Sequence, residues 1–530
     1  MLSGSSAPVC LENLSVELLR MICAQLCWHC CGLMHDDTAD LIECRNALMA
    51  LSAASRRMMV IAQPFIYHYV PGNDRARPRL WPFIRTLNSR PDLAASVKWL
   101  GPIMDDRPIY DAAAFKQCKA IALKQQLSLE NDPDFKVLME AIDPTSTRET
   151  GDRDLLRKFL GELIISMLVG LEMLCDSVET DDVYMSTVET ACLFLSSRFK
   201  RLRARPGLGA LRALKLIAST ESFFWALAPG ISVLLHAAPH LERLRFESCL
   251  GLRGSDDSGG DPDSDEDEED IYCRRPEPFN VRTYMPVMES LRVLSFVETL
   301  INDHETSSEF GHLTSMIRRC PQLEEFQFRA LHPAPEYLEA DDTEANIRHH
   351  RLIEALEPAH ESLRVLDLYI GGAPEAATIP KIGSLLSQFK CLEVLKLDEL
   401  AFCQHLSTEA YPSYKTTCIV EMLPLTVRRL HLRLIQSSLA WEDTAHLAAV
   451  VSTGAFPALS AIRIYVQHVD TMVEQERVMV SERVLSDSQR LFDILLDTNL
   501  SLSVSACLDS KKDGIYTDNE PSNRPLAGLI

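Results

Sequence analysis

Two stretches, Glu361-Ser-Leu-Arg-Val-Leu-Asp-Leu-Tyr369 and Lys390-Cys-Leu-Glu-Val-Leu-Lys-Leu-Asp398, decide how this chain folds. Each carries an apolar residue followed three and five positions later by two more, the pattern L-x-x-L-x-L. The pattern recurs at Leu211, Leu214, Leu216; Leu241, Leu244, Phe246; Leu291, Leu294, Phe296; Leu323, Phe326, Phe328; Leu363, Leu366, Leu368; Leu392, Leu395, Leu397; Val427, Leu430, Leu432; and Leu459, Ile462, Ile464. Weaker copies stand at Val97 with Leu100 and at Leu171 with Leu174. The last two apolar residues of a copy are two apart, so they point to one face of a short strand. Amphipathic helical stretches precede most copies: Ile231, Leu234, Leu235; Leu313, Met316, Ile317; Leu352, Ile353, Leu356; Ile382, Leu385, Leu386, Phe389; and Leu447, Val450, Val451. The unit is therefore helix, turn, strand. One unit cannot bury its apolar face alone, so the units must stack into an α/β solenoid with parallel strands inside and helices outside.

Around this array the composition is that of a folded chain. The 530 residues are 46% hydrophobic and 24% charged, with 53 Lys and Arg against 75 Asp and Glu, a formal charge of −22. Such a balance argues against nucleic acid and against a polybasic membrane contact. Asp256 to Asp270 alone supplies ten carboxylates and no base, which leaves −12 for the rest. That window reads as a disordered acidic insertion over 253–280. Met1 to Val9 lacks a basic signal-peptide start, and the 16 cysteines are scattered, so the expected location is cytoplasmic or nuclear, with reduced thiols. The sequons at Asn13 and Asn499 then carry no meaning. Ser222 to Leu241 has the length of a membrane span, but Pro229, Gly230, His236, Pro239 and His240 favour a buried helix with its loops.

The repeats resemble leucine-rich repeats of the long, irregular kind. Junctions such as Cys320-Pro-Gln-Leu-Glu-Glu-Phe and Glu289-Ser-Leu-Arg-Val-Leu carry the likeness. At the family's ladder position only Cys249 fits, while Gly371 and Leu400 stand elsewhere in its place.

Residues 11–72 read differently. Leu14-Ser-Val-Glu-Leu-Leu-Arg-Met-Ile-Cys-Ala-Gln-Leu26 places residues 18, 19, 22 and 26 on one helical face, with Ser15 as N-cap. A second helix is expected over Leu41 to Met59 with Leu48, Leu51 and Ala54 inward, before a closing Ile61-Ala-Gln-Pro64-Phe-Ile-Tyr67-His-Tyr-Val run. This segment resembles an F-box, with Ser15 where the family has Pro and a longer loop from Cys27 to Asp40. With Leu80-Trp-Pro-Phe-Ile-Arg and the repeats behind it, the chain looks like a fungal-type F-box protein with leucine-rich repeats. The expected layout is a disordered 1–10, an all-α module over 11–72, the solenoid over 73–507 and a flexible tail over 508–530. The resemblance implies a substrate receptor of a Skp/cullin/F-box-type ubiquitin ligase. It implies that Leu14, Glu17, Leu18, Ile22, Leu26, Leu48, Leu51 and Pro64 meet the Skp-family adaptor, and through it a cullin. A repeat scaffold without a ligase role, its N-terminal helices serving only as a cap, is the alternative.

Catalytic and cofactor signatures are absent from the sequence, and the expectation is a non-enzyme without cofactor. Cys27-Trp-His-Cys30 has Cys23, Cys31, His35 and Cys44 near it, yet zinc wants a second close ligand pair and a redox pair wants a preceding strand. The reading is therefore buried helix cysteines and a surface loop, with no metal. Asp261-Pro-Asp263-Ser-Asp265 lacks the glycine of a calcium loop, and His304-Glu305 and His360-Glu361 lack a second histidine.

Alternation places the partner surface. With Leu366 and Leu368 inward, Val365, Asp367 and Tyr369 face the open side of the sheet. The same rule exposes Glu325, Gln327 and Val394. The candidate substrate-binding residues are Arg243, Arg245, Asp367, Tyr369, Lys396, Arg429, His431, Arg433, Arg463 and Tyr465. Their basic character points to a protein substrate with an acidic or phosphorylated segment. Ser264 beside Asp265 and Glu266 matches an acidophilic kinase acceptor, and the acidic insertion is a candidate internal competitor for Arg243 and Arg245.

Overall fold

The computed structural model describes residues 11–31, 38–70, 80–101, parts of 116–124, 160–178, 208–218, 224–251, 281–299, 309–330, 349–370, 382–399, 418–434, 438–467 and 482–507, with short breaks inside some of these. The N-terminus 1–10, the acidic insertion 253–280 with Ser264, the tail 508–530, and Gly371 and Leu400 lie outside the described residues.

Each copy of the repeat forms a strand. Eight strands carry the eight copies: β4 (Ala213–Ala218), β6 (Arg243–Glu247), β8 (Val293–Thr299), β9 (Glu325–Ala330), β10 (Val365–Tyr369), β11 (Val394–Asp398), β12 (Arg429–Leu434) and β13 (Ala461–Gln467). The weaker copies form β2 (Trp99–Leu100) and β3 (Met173–Val178). Two strands without a quoted copy, β1 (Tyr69–Val70) and β14 (Ser501–Cys507), close the series. All twelve pair in parallel, in the order β1-β2-β3-β4-β6-β8-β9-β10-β11-β12-β13-β14. Strand order thus follows chain order, the sequential stacking that a repeat pattern demands. A separate pair, β5 (Phe224–Trp225) with β7 (Cys249–Gly251), flanks β6.

The register lines up equivalent residues. Leu366 pairs with Phe326 on one side and Leu395 on the other, and Leu368 with Phe328 and Leu397. All 24 apolar residues of the eight copies are buried. Helices α6 (Pro229–Ala237), α7 (Glu309–Ile317), α8 (His349–Ala355), α9 (Ile382–Leu386), α10 (Cys418–Met422), α11 (Ser438–Ser452) and α12 (Glu482–Leu495) run between strands, and their apolar residues join the strand leucines in one continuous core. The tested span Ser222 to Leu241 holds the nine-residue α6, and no helix among the described residues is long and apolar enough to cross a membrane.

The N-terminal helices are α1 (Val16–Gln25), α2 (Thr38–Ala54), α3 (Arg56–His68), α4 (Leu80–Ser89) and α5 (Pro91–Ser96). Ser15 caps α1 as expected, its hydroxyl accepting from Leu18 N–H at 3.3 Å. The single helix expected over 41–59 is two helices. Ser55 is extended and its hydroxyl accepts from Met58 N–H at 3.2 Å, so it ends α2 and caps α3. Ala54 is exposed rather than inward. Pro64 sits inside α3, at the loss of one backbone hydrogen bond, and the helix runs on to His68. Tyr69 and Val70 then enter the sheet directly, so the helical segment ends as the first strand of the array.

One alternation runs along the strand starts. The residue just after the first apolar position reads Lys98, Glu172, Arg212, Glu242, Arg292, Glu324, Arg364, Glu393, Arg428, changing sign at every strand. These residues are in register; Arg364 N–H, for example, donates to Glu324 C=O, and Glu393 N–H to Arg364 C=O. Lys98–Glu172 (2.7 Å), Arg212–Glu242 (3.8 Å), Arg292–Glu324 and Arg364–Glu393 (2.9 Å) are ion pairs. Each exposed pair is worth little alone, but every rung between the two ends has an opposite charge on both sides.

Arg364→Glu is therefore expected to lower stability by about 1–2 kcal/mol, less at high salt. The exchange Arg364→Glu with Glu393→Arg should not restore it, because Glu324 and Arg428 then face like charges. Urea unfolding of the three chains decides; full restoration by the exchange would show that only the isolated pair counts.

Candidate functional site

The side of the sheet turned away from the helices presents its residues in rows set by the register. One row runs Lys215, Arg245, Ser295, Gln327, Asp367, Lys396, His431, Arg463, Ser503. The next runs Glu247, Val297, Arg329, Tyr369, Asp398, Arg433, Tyr465. Where the rows cross β9 to β12, cations converge on one carboxylate. Asp367 takes Arg329 at 3.2 Å, Lys396 at 3.4 Å and Arg433 at 3.7 Å. Arg433 also lies 4.8 Å over the Tyr369 ring, and His431 packs against Tyr465 at 6.1 Å between centroids.

Of the ten residues expected on this face, Asp367, Tyr369, Lys396 and Arg433 come together in direct contact, with His431 and Tyr465 beside them. Arg463 neighbours His431 in the row, and Arg429 is exposed at the start of β12. Arg243 and Arg245 lie on β6, three strands from Asp367. There Glu247 takes both Arg245 and Lys215, the latter at 3.1 Å.

Four expected surface residues are corrected. Asp367 is only 1% exposed, and His431 is buried as well. Long neighbouring side chains on both adjoining strands close over these shorter ones, so alternation gives the face but not the exposure. Gln327 and Val394 are buried likewise. Arg329 was not among the expected residues. Extending the alternation two positions past Gln327 along β9 finds it, since the strand reaches Ala330.

Burial opposes ionisation of Asp367, yet Arg433, Arg329 and Lys396 together outweigh it and hold the carboxyl well below the usual range. Three cations thus gather on one buried carboxylate. His431 behaves in the opposite way: burial, then the charges of Lys396 and Arg463, push it down to about 4, so it is neutral at pH 7.

The residues expected to meet an adaptor divide by exposure. Leu18 is 47% exposed and Glu17 is exposed, while Leu48 is buried in the module's own core with Leu19, Cys23, Cys27, Met58, Ile61 and Ala62. Leu14, Leu26 and Leu51 pack partly against that core, and Ile22 and Pro64 are half-buried. Exposed apolar side chains beyond the expected set are Leu11 ahead of α1, Met21 (64%) on α1, Ile42 and Met49 on α2, and Met59 and Val60 (70%) on α3.

A second cluster gathers where the turn after α1 meets the end of α3. Cys27 Sγ and Cys30 Sγ lie 3.5 and 3.4 Å from His68 Nδ1, and Cys30 Sγ lies 3.9 Å from His29 Nδ1. Ligand atoms of these four residues all fall within 4.8 Å of one another, close enough to hold a metal ion. The local spacing shows Cys27, His29 and Cys30 but not His68, which arrives only because α3 continues through Pro64. Cys31 is turned aside, its thiol donating to Gln25 C=O at 3.1 Å, and His35 lies outside the described residues. Beside the cluster a cleft of about 200 Å³ is lined by Trp28, Trp99, Glu172, Arg212 and Arg243 among others. No family model matches the chain, and no curated protein matches it.

Two outcomes are expected. Asp367→Asn leaves three cations without their shared carboxylate and should cost about 2–3 kcal/mol in urea unfolding at pH 7. For His431 the folded value lies below the unfolded one of about 6.5, so its contribution is full above that pH and is lost as pH falls toward 4. Between pH 7 and 5 this amounts to about 2 kcal/mol, and His431→Asn should shrink the loss of stability over that interval by that much. An unchanged pH dependence in the variant would refute the burial of a neutral imidazole.

Proposed function

We propose that the chain is a protein-recognition subunit of a Skp/cullin/F-box-type ubiquitin ligase. In this reading α1 to α3 dock the Skp-family adaptor, and the charged side of the sheet takes a protein substrate through an acidic or phosphorylated segment. The observation that carries it is the apolar surface left uncovered on a folded helical module: Leu18 and Met21 on α1, and Met59 and Val60 on α3. Large apolar side chains exposed together on small helices are the anchors a helix-binding partner needs. The gathering of Arg329, Lys396 and Arg433 around Asp367 supports the second half, since guanidinium and ammonium groups suit carboxylate or phosphate oxygens. Phosphate would compete with Asp367 for groups already gathered at one point, so little side-chain ordering remains to be done on binding.

Burial of Leu48 within the module's core favours the second reading, a leucine-rich-repeat scaffold whose N-terminal helices are a cap and nothing more. A pull-down with a purified Skp-family adaptor separates the two. The wild-type chain should capture the adaptor and Leu18→Asp should lose at least about ten-fold in affinity, about 1.4 kcal/mol. Leu18 is exposed, so the variant should keep the wild-type circular dichroism spectrum. Failure of the folded wild-type chain to capture the adaptor removes the ligase reading and leaves the scaffold.

A further inference from the structure

We propose that Cys27, His29, Cys30 and His68 bind one structural zinc ion, which clamps the N-terminal helices to the first strands of the sheet. The donor set, two cysteines and two histidines, is the tetrahedral zinc combination. Bond lengths of about 2.3 Å to sulfur and about 2.0–2.1 Å to nitrogen at tetrahedral angles separate sulfur from nitrogen by about 3.6 Å. Three of the four sulfur–nitrogen separations, 3.5, 3.4 and 3.9 Å, lie close to that edge, and all four ligand atoms fall within 4.8 Å of one another.

Both thiols lie against one nitrogen, His68 Nδ1, which has a single lone pair for one S–H, while Cys27 Sγ has Phe65 C=O at 3.8 Å as a second acceptor. With zinc bound, both thiols release their protons to solvent and coordinate as thiolates, and His68 Nδ1 gives its lone pair to the metal. The ion with two thiolates is electrically neutral, which suits a half-buried position.

His29 is oriented for the same role by a residue far along the chain. Its Nε2 lies 3.4 Å from Glu172 Oε2, so Nε2–H donates to the carboxylate and the Nδ1 lone pair faces the cluster. Lys98 holds Glu172 from its other oxygen at 2.7 Å. Four protein ligands leave no open position for water or substrate, so the ion is structural rather than catalytic.

The site's location gives it a task. Trp28, inside the ligand loop, stacks on Trp99 of β2 at 4.8 Å and meets Tyr69 of β1 edge-on at 5.5 Å. Glu172 immediately precedes β3, and Gly170 before it lies so close to Ala95 that a Cβ would stand 2.6 Å from that carbonyl oxygen. One ion would thus tie α1, α3 and the start of the sheet together.

The test uses the full-length chain purified under reducing conditions. Metal analysis after gel filtration should find about one zinc per chain, and the cobalt-substituted protein should show tetrahedral d–d bands with a thiolate charge-transfer band. Cys30→Ser and His68→Ala should lose the metal while Cys31→Ser keeps it, and Glu172→Gln should weaken affinity about 10- to 100-fold. Removing the metal should also weaken the near-ultraviolet dichroism of the Trp28–Trp99 stack. Should Cys30→Ser or His68→Ala fail to fold, the wild-type cobalt spectrum decides alone. A reduced wild-type chain that retains no stoichiometric zinc, or a cobalt form without a thiolate band, overturns the proposal.

Discussion

Parallel pairing of short strands over two shared columns of apolar side chains is the constraint on which everything else in the molecule rests. Leu214, Leu244, Leu294, Phe326, Leu366, Leu395, Leu430 and Ile462 form one column, and Leu216, Phe246, Phe296, Phe328, Leu368, Leu397, Leu432 and Ile464 the other. Each side chain is covered by its neighbours on the strands before and after, so no repeat completes its own core. A slip of one residue would turn both columns to the opposite face. Because that register is held so firmly, residues between and beside the columns inherit fixed positions. The cations over Asp367 and the charges along the strand starts are lined up by the leucines, not by each other.

Similar strands raise a further difficulty: a repeat could pair with the wrong neighbour and still bury leucine on leucine. The alternation from Lys98 to Arg428 discriminates where the columns do not. Omitting one repeat sets glutamate beside glutamate or arginine beside arginine, at about the spacing of adjacent strands. Individually these pairs contribute little to stability. Their value lies in the difference between right and wrong orders, which grows with the number of rungs displaced.

The array was legible in the sequence because its signal is periodic and repeated. All eight quoted copies became strands with their apolar residues buried. Strand β14 escaped because Asn499 stands where the first apolar residue of a copy should be, although Leu502 and Val504 pair with Ile462 and Ile464. Burial was legible only as far as alternation reaches. Asp367 and His431 lie on the expected face but beneath longer neighbours, and neighbour length across three strands is invisible to a one-dimensional period. The helix break at Ser55 was misread for a related reason: a serine hydroxyl is a local effect whose outcome depends on what packs against the helix. His68 stands 41 residues beyond Cys27, too far for local spacing to join them. A cysteine pair and a histidine in one short loop form an incomplete ligand set by spacing alone, and the fourth member is supplied by tertiary structure.

Rigidity at the junction follows from where these side chains sit. In a receptor that holds a partner on its helices and a substrate on its sheet, the angle between the two surfaces sets where the substrate is presented. A flexible linker would spread that angle over many values, and effective concentration falls as the spread grows. Here the helices do not reach the sheet through a linker: α3 passes into β1 within a single residue, so its last turn and the first strand share one path. A two-residue edge strand is a weak hinge on its own. Trp28 stacked on Trp99, the Lys98–Glu172 pair and the hydrogen bond between His29 and Glu172 brace it from three directions. All three contacts leave from the loop after α1 or from the strands it touches, and Glu172 belongs both to the charge ladder and to the support of His29. The second rung of the ladder and the residue that holds His29 are one carboxylate, so the order of the repeats and the orientation of the module are set at the same point.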